Sequence, residues 1–537
     1  MNGAIGAPGQ GKERQDELKA RQSLLTGALL LLLGNLASRL LGLAREQVIA
    51  AFFGETAITS AFGTAATVPT MFYDLVVGGA VSAALVPVLS GYVDADDRTE
   101  LGEVVGTLLV GGAGVLLVLV SLLALAAAPL ASVLGASTDP AVYETTVAWV
   151  RLVVPALFFL GLAGIVGAVC YAGHRVAFPA FAIALFNGGL VLTIVALHGR
   201  IGGTSMVVGV LVGAVLQLGA VVPGLAGIPI RWHFHPRHPA VARMLRLYAP
   251  VAAGLVISEI GVGIDRNLAW QTGATSVAIM RFATQLVQLP LGLVATATSL
   301  AALPVLARLL DDPAEFRRTL SSGLRLALLA ILPCATFLVV FSQPIVRLLY
   351  ERGAFGAADT ATTSLAFLLY APQLPFVAVD QLLIFAFYAR KNTLTPMLVG
   401  LAGVGLYLGC ALMLIGPFHL GVNGLILANT IQNSLHAVAL LLLLSRETGS
   451  LAGYGVGQTG ARGLLAGLGA GLAGLAARAA LPVPHGLIGL ATYLALAGVV
   501  VLGAYVVGLR LLGVEEISSL PKLVRSRLRA SDRSSAV

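Results

Sequence analysis

Long runs of apolar residues, separated by short polar segments, extend from residue 24 to residue 512. An α-helix needs about 20 mostly apolar residues to cross the hydrocarbon core of a bilayer. Because a backbone in lipid must satisfy its own hydrogen bonds, such runs are expected to be helices. The pattern predicts about fourteen spans, at residues 24–44, 58–90, 102–135, 143–172, 176–197, 204–227, 248–271, 277–308, 318–344, 360–389, 395–417, 420–444, 458–481 and 485–512.

The composition favours a protein that lies mostly in lipid. Of the 537 residues, 58% are hydrophobic and only 11% are charged, whereas a soluble domain carries about 25% charged residues. The 63 glycines suit close helix packing in lipid, where small residues let backbones approach. The three cysteines are scattered and form neither a disulfide framework nor a metal-ligand pattern. The predicted fold class is therefore an all-α integral membrane protein, multi-pass in the cytoplasmic (inner) membrane.

Basic residues concentrate in alternate loops and predict the orientation, because cytoplasmic loops carry an excess of Lys and Arg. They occur in both tails and after the sixth, eighth and tenth spans, as Lys12, Arg14, Lys19, Arg21, Arg231, Arg237, Arg243, Arg246, Arg308, Arg317, Arg318, Arg390, Lys391, Lys522, Arg525, Arg527, Arg529 and Arg533. The opposite loops offer little beyond Arg200, Arg347 and Arg352. Both termini are therefore predicted in the cytoplasm. The net charge of +8 indicates topology and contact with anionic lipid, not nucleic-acid binding.

A weak internal repeat indicates how the spans are grouped. The sequence VSAALVPVL at 81–89, in the second span, resembles SLAALPVL at 299–306, in the eighth. Six spans separate the copies, which predicts two parallel halves, as in some transporter folds. Chance similarity of apolar sequences is the alternative. The predicted units are a cytosolic tail at 1–23, an N-terminal six-helix lobe at 24–230, a basic cytosolic linker at 231–247, a C-terminal six-helix lobe at 248–445, two additional transmembrane helices at 446–512 and a basic cytosolic tail at 513–537.

Several predicted spans carry charged or amide side chains. A charge at membrane depth costs roughly 2.5–3.5 kcal/mol on insertion scales, so it usually faces water or a partner. Glu259 and Arg266 are seven residues apart and share one helix face. The candidates are Arg39 and Arg45 on the first span, Asp74 on the second, Glu259, Asp265 and Arg266 on the seventh, Arg281 and Gln285 on the eighth, and Asp380 on the tenth.

Spans one, two, seven and eight occupy equivalent places in the two predicted halves, and the simplest arrangement directs their polar faces into one central, water-filled cavity. In that cavity the arginines and Gln285 would bind substrate, because the planar guanidinium fork suits phosphate or pyrophosphate. The four acids, Asp74, Glu259, Asp265 and Asp380, would balance charge or bind an ion. The alternative is that the charges pair among themselves and hold helices together, as adjacent Asp265 and Arg266 could do.

Motifs of nucleotide and ester hydrolysis are missing from the sequence. It contains no G-x-x-x-x-G-K-[ST] segment, no metalloprotease helix and no nucleophile elbow. The prediction is a transporter without ATPase activity, not an enzyme. His233, His235 and His238 lie close together and could bind a metal, but the neighbouring arginines and prolines favour an interfacial segment. No metal and no cofactor are predicted, except a coupling cation, sodium or a proton, that stays unassigned.

Short motifs follow one another along nearly the whole chain. They are SRLLGLAR at 38–45, FG at 53–54, LRLYAP at 245–250, IDR at 264–266, QLPLG at 288–292, PIVRLLYERGAF at 344–355, AFYA at 386–389 and TP at 395–396. In this order they resemble the MurJ/MviN family of lipid II flippases, in the multidrug/oligosaccharidyl-lipid/polysaccharide exporter superfamily.

The resemblance implies two six-helix lobes, two further helices along a lipid-facing groove, and translocation of lipid II by alternating access. Lipid II is the undecaprenyl-pyrophosphate-linked precursor of peptidoglycan. Arg39 and Arg45 match substrate-binding arginines of that family, and Asp265 and Arg266 match an acid and a base of its seventh helix. Family positions with other side chains here are Ser60, Tyr73, Asp74, Gln285, Gln381 and Ala411, and Arg281 lies one turn from Gln285 as a substitute.

The leading hypothesis is a lipid II flippase driven by membrane potential or an ion gradient, with membrane lipids and cell-wall synthesis proteins as partners. The differing positions keep a flippase for another polyprenyl-linked glycan as an alternative. An ion-coupled exporter of amphipathic cations would need an acidic cavity, and the arginines argue against it. A non-transporting scaffold paralogue is the third alternative. Its basic C-terminal tail is short and fits contact with anionic lipid.

Overall fold

The computed structural model describes the backbone of residues 10–75, 84–95, 97–484, 486–514 and 516. Long α-helices dominate these ranges, and no β-strand occurs in them. By its internal contacts the chain divides into two compact units, one made of residues up to 52 and 57–263, the other of 53–56 and residues from 264 onward. The helix that contains the division belongs to both units.

The first unit contains α1 (Gln10–Phe53), α2 (Ala57–Tyr73), α3 (Val86–Asp94), α4 (Arg98–Leu125), α5 (Ala127–Val133), α6 (Pro140–Val153), α7 (Ala156–Ala172), α8 (Ala177–Ile201), α9 (Thr204–Val221) and most of α10 (Pro239–Thr272). A buried apolar cluster, including Leu89, Val104, Val105 and Ala168, joins α3, α4 and α7. Helices α8 and α9 approach closely at Gly213, where an added Cβ would lie 2.6 Å from the carbonyl oxygen of Phe186. In lipid there is no hydrophobic driving force between helices, and small residues such as glycine allow the close van der Waals packing that holds helices together instead.

The second unit contains α11 (Ser276–Arg308), α12 (Pro313–Val340), α13 (Ser342–Tyr350), α14 (Ala357–Tyr370), α15 (Leu374–Ala389), α16 (Leu394–Ile415), α17 (Gly421–Thr448), α18 (Val456–Ala480) and α19 (Leu487–Leu511). Its core includes Leu320, Leu324, Leu382, Phe387 and Leu440, all fully buried. These side chains pack α12, α15 and α17 against one another, which brings the polar residues of α15 and α17 close together.

Ten helical segments of the described chain are long and apolar enough to cross a membrane. Two of them are the successive pairs α6–α7 and α14–α15. In α10, Pro239–Ala249 and Gly254–Thr272 pass the same criterion together but are bent by 52°. Pro250 lies in this break and has no N–H to continue the helix. The all-helical, multi-pass membrane class is confirmed, whereas the predicted number of fourteen spans is not.

Several predicted spans are broken in the structure. The run at 102–135 is divided into α4 and α5, because Pro129 cannot bond the carbonyl group four residues earlier and α4 ends there. A break before Ala156 divides 143–172, where Pro155 lies between α6 and α7. A 3-10 turn, Ala371–Gln373, divides 360–389. Hydrophobicity alone predicted these runs as single helices, since prolines are tolerated within apolar segments.

The two ends of the chain and the internal repeat are only partly within the described residues. Helix α1 begins at Gln10, inside the predicted tail at 1–23. Residues 81–83 of the repeat lie outside the described residues, as does most of the tail at 513–537. Of the second copy of the repeat, the side chains of 299–304 are also outside them. The repeat and the predicted lobe boundaries therefore stay predictions.

Candidate substrate and ion sites

Arg45, near the end of α1, is held by a polar cluster within the first unit. Its Nε and Nη2 atoms lie 2.9 Å and 2.8 Å from Glu46 Oε1, and its Nη1 donates to Asn187 Oδ1 on α8 at 3.0 Å. Asn187 in turn donates to the carbonyl oxygen of Ser38 at 3.3 Å. Glu46 is 1% exposed, so the carboxylate of this ion pair is shielded from water. The guanidinium group therefore connects α1 to α8.

The sequence prediction missed Glu46, which compensates the charge of Arg45, and Asn187, which accepts a hydrogen bond from it. An acid beside an arginine in an apolar run, and an isolated amide in the middle of α8, were the signals available. A buried charge without partners would be expensive, so such residues indicate a partner nearby. What the sequence could not show is that a residue 142 positions away supplies the second acceptor.

Three further candidates lie in the first unit. The Nε atom of Arg39 donates to Asn35 Oδ1, one turn earlier on α1, at 3.2 Å. Asp74 follows directly after α2 and is half-buried. It interacts electrostatically with Glu259 on α10. The structure thus brings two predicted acids, Asp74 and Glu259, near each other.

In the second unit, Asp265 accepts a hydrogen bond from Tyr407. The hydroxyl group of Tyr407, on α16, donates to Asp265 Oδ1 at 2.6 Å. Arg266 is half-buried, and its Nε atom is buried without a hydrogen-bond partner among the described residues. Asp265 is therefore bonded to a tyrosine that the sequence prediction did not include. The alternative of a pair between Asp265 and Arg266 is not among the ion pairs of the described residues.

The remaining candidates and the positions that differ from the family are distributed over both units. Arg281 and Gln285, one turn apart on α11, are half-buried. The half-buried positions also include Tyr73 on α2 and Gln381 on α15, whereas Ser60 on α2 and Ala411 on α16 are fully buried. Ala411, one turn after Tyr407 on α16, cannot supply a polar ligand.

Asp380 on α15 pairs with His436 on α17. The atoms His436 Nδ1 and Asp380 Oδ1 are 2.8 Å apart, and the two side chains are 12% and 16% exposed. Close by, Asn433 on α17 donates at 2.5 Å to Oε1 of Gln373, in the 3-10 turn before α15, and at 3.0 Å to Asn429 Oδ1. The sequence prediction included Asp380 but not His436, although a single histidine in an apolar run is a recognisable signal.

The FG motif at 53–54 meets the PIVRLLYERGAF motif within the second unit. Gly54 has a left-handed φ of +62°, and a Cβ there would lie 2.6 Å from the carbonyl oxygen of Ala354. Phe355 anchors the second motif, because its ring packs against Phe282 and Tyr350 with centroids 5.4 Å and 5.7 Å apart. At position 54, therefore, only glycine fits the turn without strain.

Glu55, beside Gly54, is a buried acid that the sequence prediction also missed. It lies between α1 and α2, and its carboxylate accepts hydrogen bonds from the hydroxyl groups of Thr362 and Thr363 on α14, the latter at 2.7 Å. Burial raises the pKa of Glu55 from an ordinary 4.5 to about 7; the threonine hydrogen bonds oppose this rise and nearby Asp359 adds to it. The contact between the loop at 53–56 and α14 therefore depends on the protonation of Glu55.

The histidine-rich loop packs on α4 by its backbone and by one ion pair. The N–H of Arg231 donates to the carbonyl oxygen of Gly102 at 3.2 Å, and the Arg231 guanidinium group pairs with Glu103. The rings of His233 and His235 are stacked with centroids 6.2 Å apart. No group of three or more His, Cys, Asp or Glu side chains suited to a metal occurs among the described residues.

The fold is that of a multi-pass membrane transporter. Among solved structures it is similar to "Lipid II flippase MurJ, inward closed conformation", with a TM-score of 0.76 and 22% identity over 90% of this chain and 99% of that one. It is also similar to an inward-facing multidrug resistance MATE family transporter of the MOP superfamily, with a TM-score of 0.67 and 14% identity over 79% of this chain and 99% of the other. These likenesses define the fold.

Sequence comparison identifies the family. The model described as "Lipid II flippase MurJ" matches residues 49–506. The "Probable lipid II flippase MurJ" of Rhizobium meliloti is 31% identical over 428 residues, which cover 76% of this chain and 78% of that protein. The "Lipid II flippase MurJ" of Burkholderia cenocepacia is 28% identical over 383 residues, 68% of this chain and 73% of that protein. The chain belongs to the MurJ family, and the family resemblance predicted from its motifs is confirmed.

Proposed function

We propose that this protein translocates lipid II across the cytoplasmic membrane, from the inner to the outer leaflet. The observation that carries the proposal is the family match over residues 49–506, which extends over most of both units. The chain would act as a transporter and not as an enzyme. Both termini would lie in the cytoplasm, as the basic loops predict.

The translocation step would be alternating access, with arginines holding the pyrophosphate group. Arg39 is the first candidate for this role, because it matches a substrate-binding arginine of the family; its Nε also donates to the neutral side chain of Asn35 on the same helix. Arg266 is a second one, because its buried Nε has no hydrogen-bond partner in the described structure. A guanidinium fork can bind two phosphate oxygens at once. Arg281 and Gln285, half-buried on α11, would add polar contacts to the head group.

Arg45 fits a positioning role better than direct substrate binding. Its Nε, Nη1 and Nη2 atoms are all within 3.0 Å of oxygens of Glu46 or Asn187. Substrate binding would therefore have to break the ion pair between Arg45 and Glu46, whose side chain is only 1% exposed. Removing one partner of such a pair leaves an uncompensated charge. We infer that Arg45 fixes α1 against α8, and that Arg39, nearly two turns earlier, meets the substrate.

The driving force would be the membrane potential or an ion gradient. Moving one elementary charge across 100 mV supplies roughly 2.3 kcal/mol, which is enough to bias an equilibrium between two conformations by more than tenfold. The acids Asp74, Glu259, Asp265 and Asp380 are the charge-balancing or ion-binding groups of this proposal. Membrane lipids, and proteins of cell-wall synthesis, would be its partners.

A flippase for another polyprenyl-linked glycan is the second candidate. It is favoured by the side chains Ser60, Tyr73, Gln285, Gln381 and Ala411, which differ from the family pattern. Because Ala411 is fully buried and apolar, it contributes no ion or sugar ligand. A substrate with a different sugar or peptide head group would contact these positions, while its pyrophosphate would still bind the same arginines.

Complementation tests the proposal directly. The native lipid II flippase of a tractable bacterium is depleted, this chain is expressed, and lipid II in the outer leaflet is measured. We expect rescue by the natural chain, loss of rescue by Arg39→Ala, and full rescue by the matched control Arg200→Ala, an exposed arginine of α8 in the same unit. Failure of the correctly inserted natural chain would shift the proposal to another glycan, and rescue by Arg39→Ala would refute the assigned role of Arg39.

A further inference from the structure

A histidine–carboxylate pair lies inside the second unit, at membrane depth. Asp380 belongs to the span Ala357–Ala389 and His436 to the span Gly421–Thr448, and α15 packs against α17. The 2.8 Å contact joins His436 Nδ1 to Asp380 Oδ1, a distance typical of a charge-assisted hydrogen bond. Only 12% of the histidine and 16% of the aspartate side chain are exposed. Such an intramembrane pair needs a physical explanation.

The surroundings of the pair are neutral. The uncharged polar side chains next to the pair along the chain are Gln381, Gln432 and Ser434. The amides of Gln373 and Asn429 follow further along, and both accept hydrogen bonds from Asn433. The other titratable side chains on α15 and α17, at their ends and on the helices packed against them are Arg281 and Arg308 on α11, Glu315, Arg317, Arg318, Arg325 and Cys334 on α12, Asp359 and Tyr370 on α14, Tyr388 on α15, Arg390 directly after it, Tyr407 and Cys410 on α16, and Arg446 and Glu447 on α17. None of them bonds to Asp380 or His436 in the described structure.

The nearest of these charges along the helices are already paired. Arg390 Nε lies 3.7 Å from Glu447 Oε2, and Arg325 Nε lies 2.8 Å from Glu516 Oε1. Tyr407 donates to Asp265. The charge of Asp380 therefore depends on His436, and the charge of His436 depends on Asp380.

We propose that Asp380 and His436 together bind one proton, and that loading and release of this proton couple the transport cycle to a pH gradient. With the proton bound, the pair is a neutral imidazolium–carboxylate unit. After release, the carboxylate and the neutral imidazole carry a net charge of −1. A lone charge at membrane depth is costly, so a closed arrangement of α15 and α17 favours the loaded pair and an opened, hydrated one favours release.

A proton fits this pair better than a sodium ion. Hard cations take carboxylate, carbonyl and water oxygens as ligands, whereas imidazole nitrogen suits transition metals. The position facing the Asp380 carboxylate is occupied by a ring nitrogen at hydrogen-bond distance, which leaves room for a proton and not for a larger ion. The coupling half of the proposal rests on the proposed function, and the proton-binding half does not.

The coupling is tested with purified full-length protein in liposomes that contain lipid II labelled on its peptide. Flipping is measured with a pH gradient at clamped potential, and separately with a sodium gradient. We expect the pH gradient to accelerate flipping by the natural chain on the order of tenfold or more, because the bias from one buried charge is roughly 10²-fold. Asp380→Asn and His436→Gln should lose this acceleration, and Asp380→Glu should retain part of it.

A matched control is His419→Asn, an exposed histidine of the same unit at a φ of +52°, which asparagine tolerates. This variant should respond to the gradient like the natural chain. Acceleration by sodium instead of protons, or an unchanged response in His436→Gln, would overturn the coupling. Absence of flipping under every gradient would count against the proposed function and not against proton binding.

Proton binding is tested without substrate, by hydrogen exchange of α15 and α17 amides at pH 6 and pH 8, corrected for the intrinsic rates. We expect this protection to fall on the order of tenfold between pH 6 and pH 8 in the natural chain and in the His419→Asn control, because release of the proton leaves a lone charge at membrane depth. Asp380→Asn and His436→Gln should each abolish the pH dependence of protection. The double variant should show the same loss as either single variant, because the two residues share one proton. Additive effects, or pH-independent protection in the natural chain, would overturn the site.

Discussion

Glu55 provides the sharpest pH prediction, because it is the buried acid that lies outside the spans. Burial raises its pKa from 4.5 to about 7, so the folded loop binds the proton more tightly than the unfolded chain. The contact with Thr362 and Thr363 is therefore fully stable below about pH 4.5 and loses stability as the pH rises through about 7. The full shift corresponds to about 3 kcal/mol at 1.36 kcal/mol per pH unit.

Between pH 5.5 and pH 8 the loss amounts to about 2 kcal/mol, or roughly 25-fold in the opening equilibrium of the loop. The assay is hydrogen exchange of the amides of residues 53–56 in detergent, corrected for the intrinsic pH dependence. Glu55→Gln removes the ionisable group and keeps an acceptor for the threonine hydroxyls, so protection should become nearly independent of pH.

The matched control for this loop is Glu144→Gln, an exposed acid on α6, which should keep the 25-fold change. If Glu55→Gln retained the pH dependence of the natural chain, the titration would belong to another group, such as Asp359. If neither protein showed any change between pH 5.5 and pH 8, the burial of Glu55 would not control the loop.

Three stability predictions follow from single contacts, each measured by thermal unfolding of the purified protein in detergent. Gly54→Ala should destabilise by about 1–2 kcal/mol, because its φ of +62° is strained for alanine and its Cβ would lie 2.6 Å from the carbonyl oxygen of Ala354. Asn187→Leu should cost about 1–3 kcal/mol, because the Nη1 atom of Arg45 loses its acceptor. Tyr407→Phe should cost about 1–3 kcal/mol, because the Asp265 carboxylate loses its donor.

Matched substitutions separate these contacts from general disruption. Gly114→Ala adds a Cβ with no atom within 4 Å and should be neutral or stabilising by about 0.5–1 kcal/mol. Thr193→Val removes a hydroxyl that bonds only one turn back, to the carbonyl oxygen of Gly189, and should cost less than Asn187→Leu. Equal effects of the test and control variants would contradict the roles given to Gly54 and Asn187.

The sequence was sufficient for the class of fold and the family, but not for the helix breaks. Apolar runs predict membrane helices because transfer into lipid depends on each segment's own composition. The run at 102–135 nevertheless forms two helices, and 360–389 is interrupted by a 3-10 turn. Hydropathy does not distinguish a straight span from a broken one, since the break depends on a proline and on the packing around it.

Candidate residues were predictable as residues that need partners, whereas the partners were decided by the tertiary structure. Arg45, Asp265 and Asp380 were recognisable because a charge in an apolar run is costly wherever it lies. Their partners are Asn187, Tyr407 and His436, which are 142, 142 and 56 positions away. Hydrophobicity is a property of one segment and can be seen in its sequence, but a hydrogen bond needs two side chains within about 3 Å, and only the packing of helices brings them together.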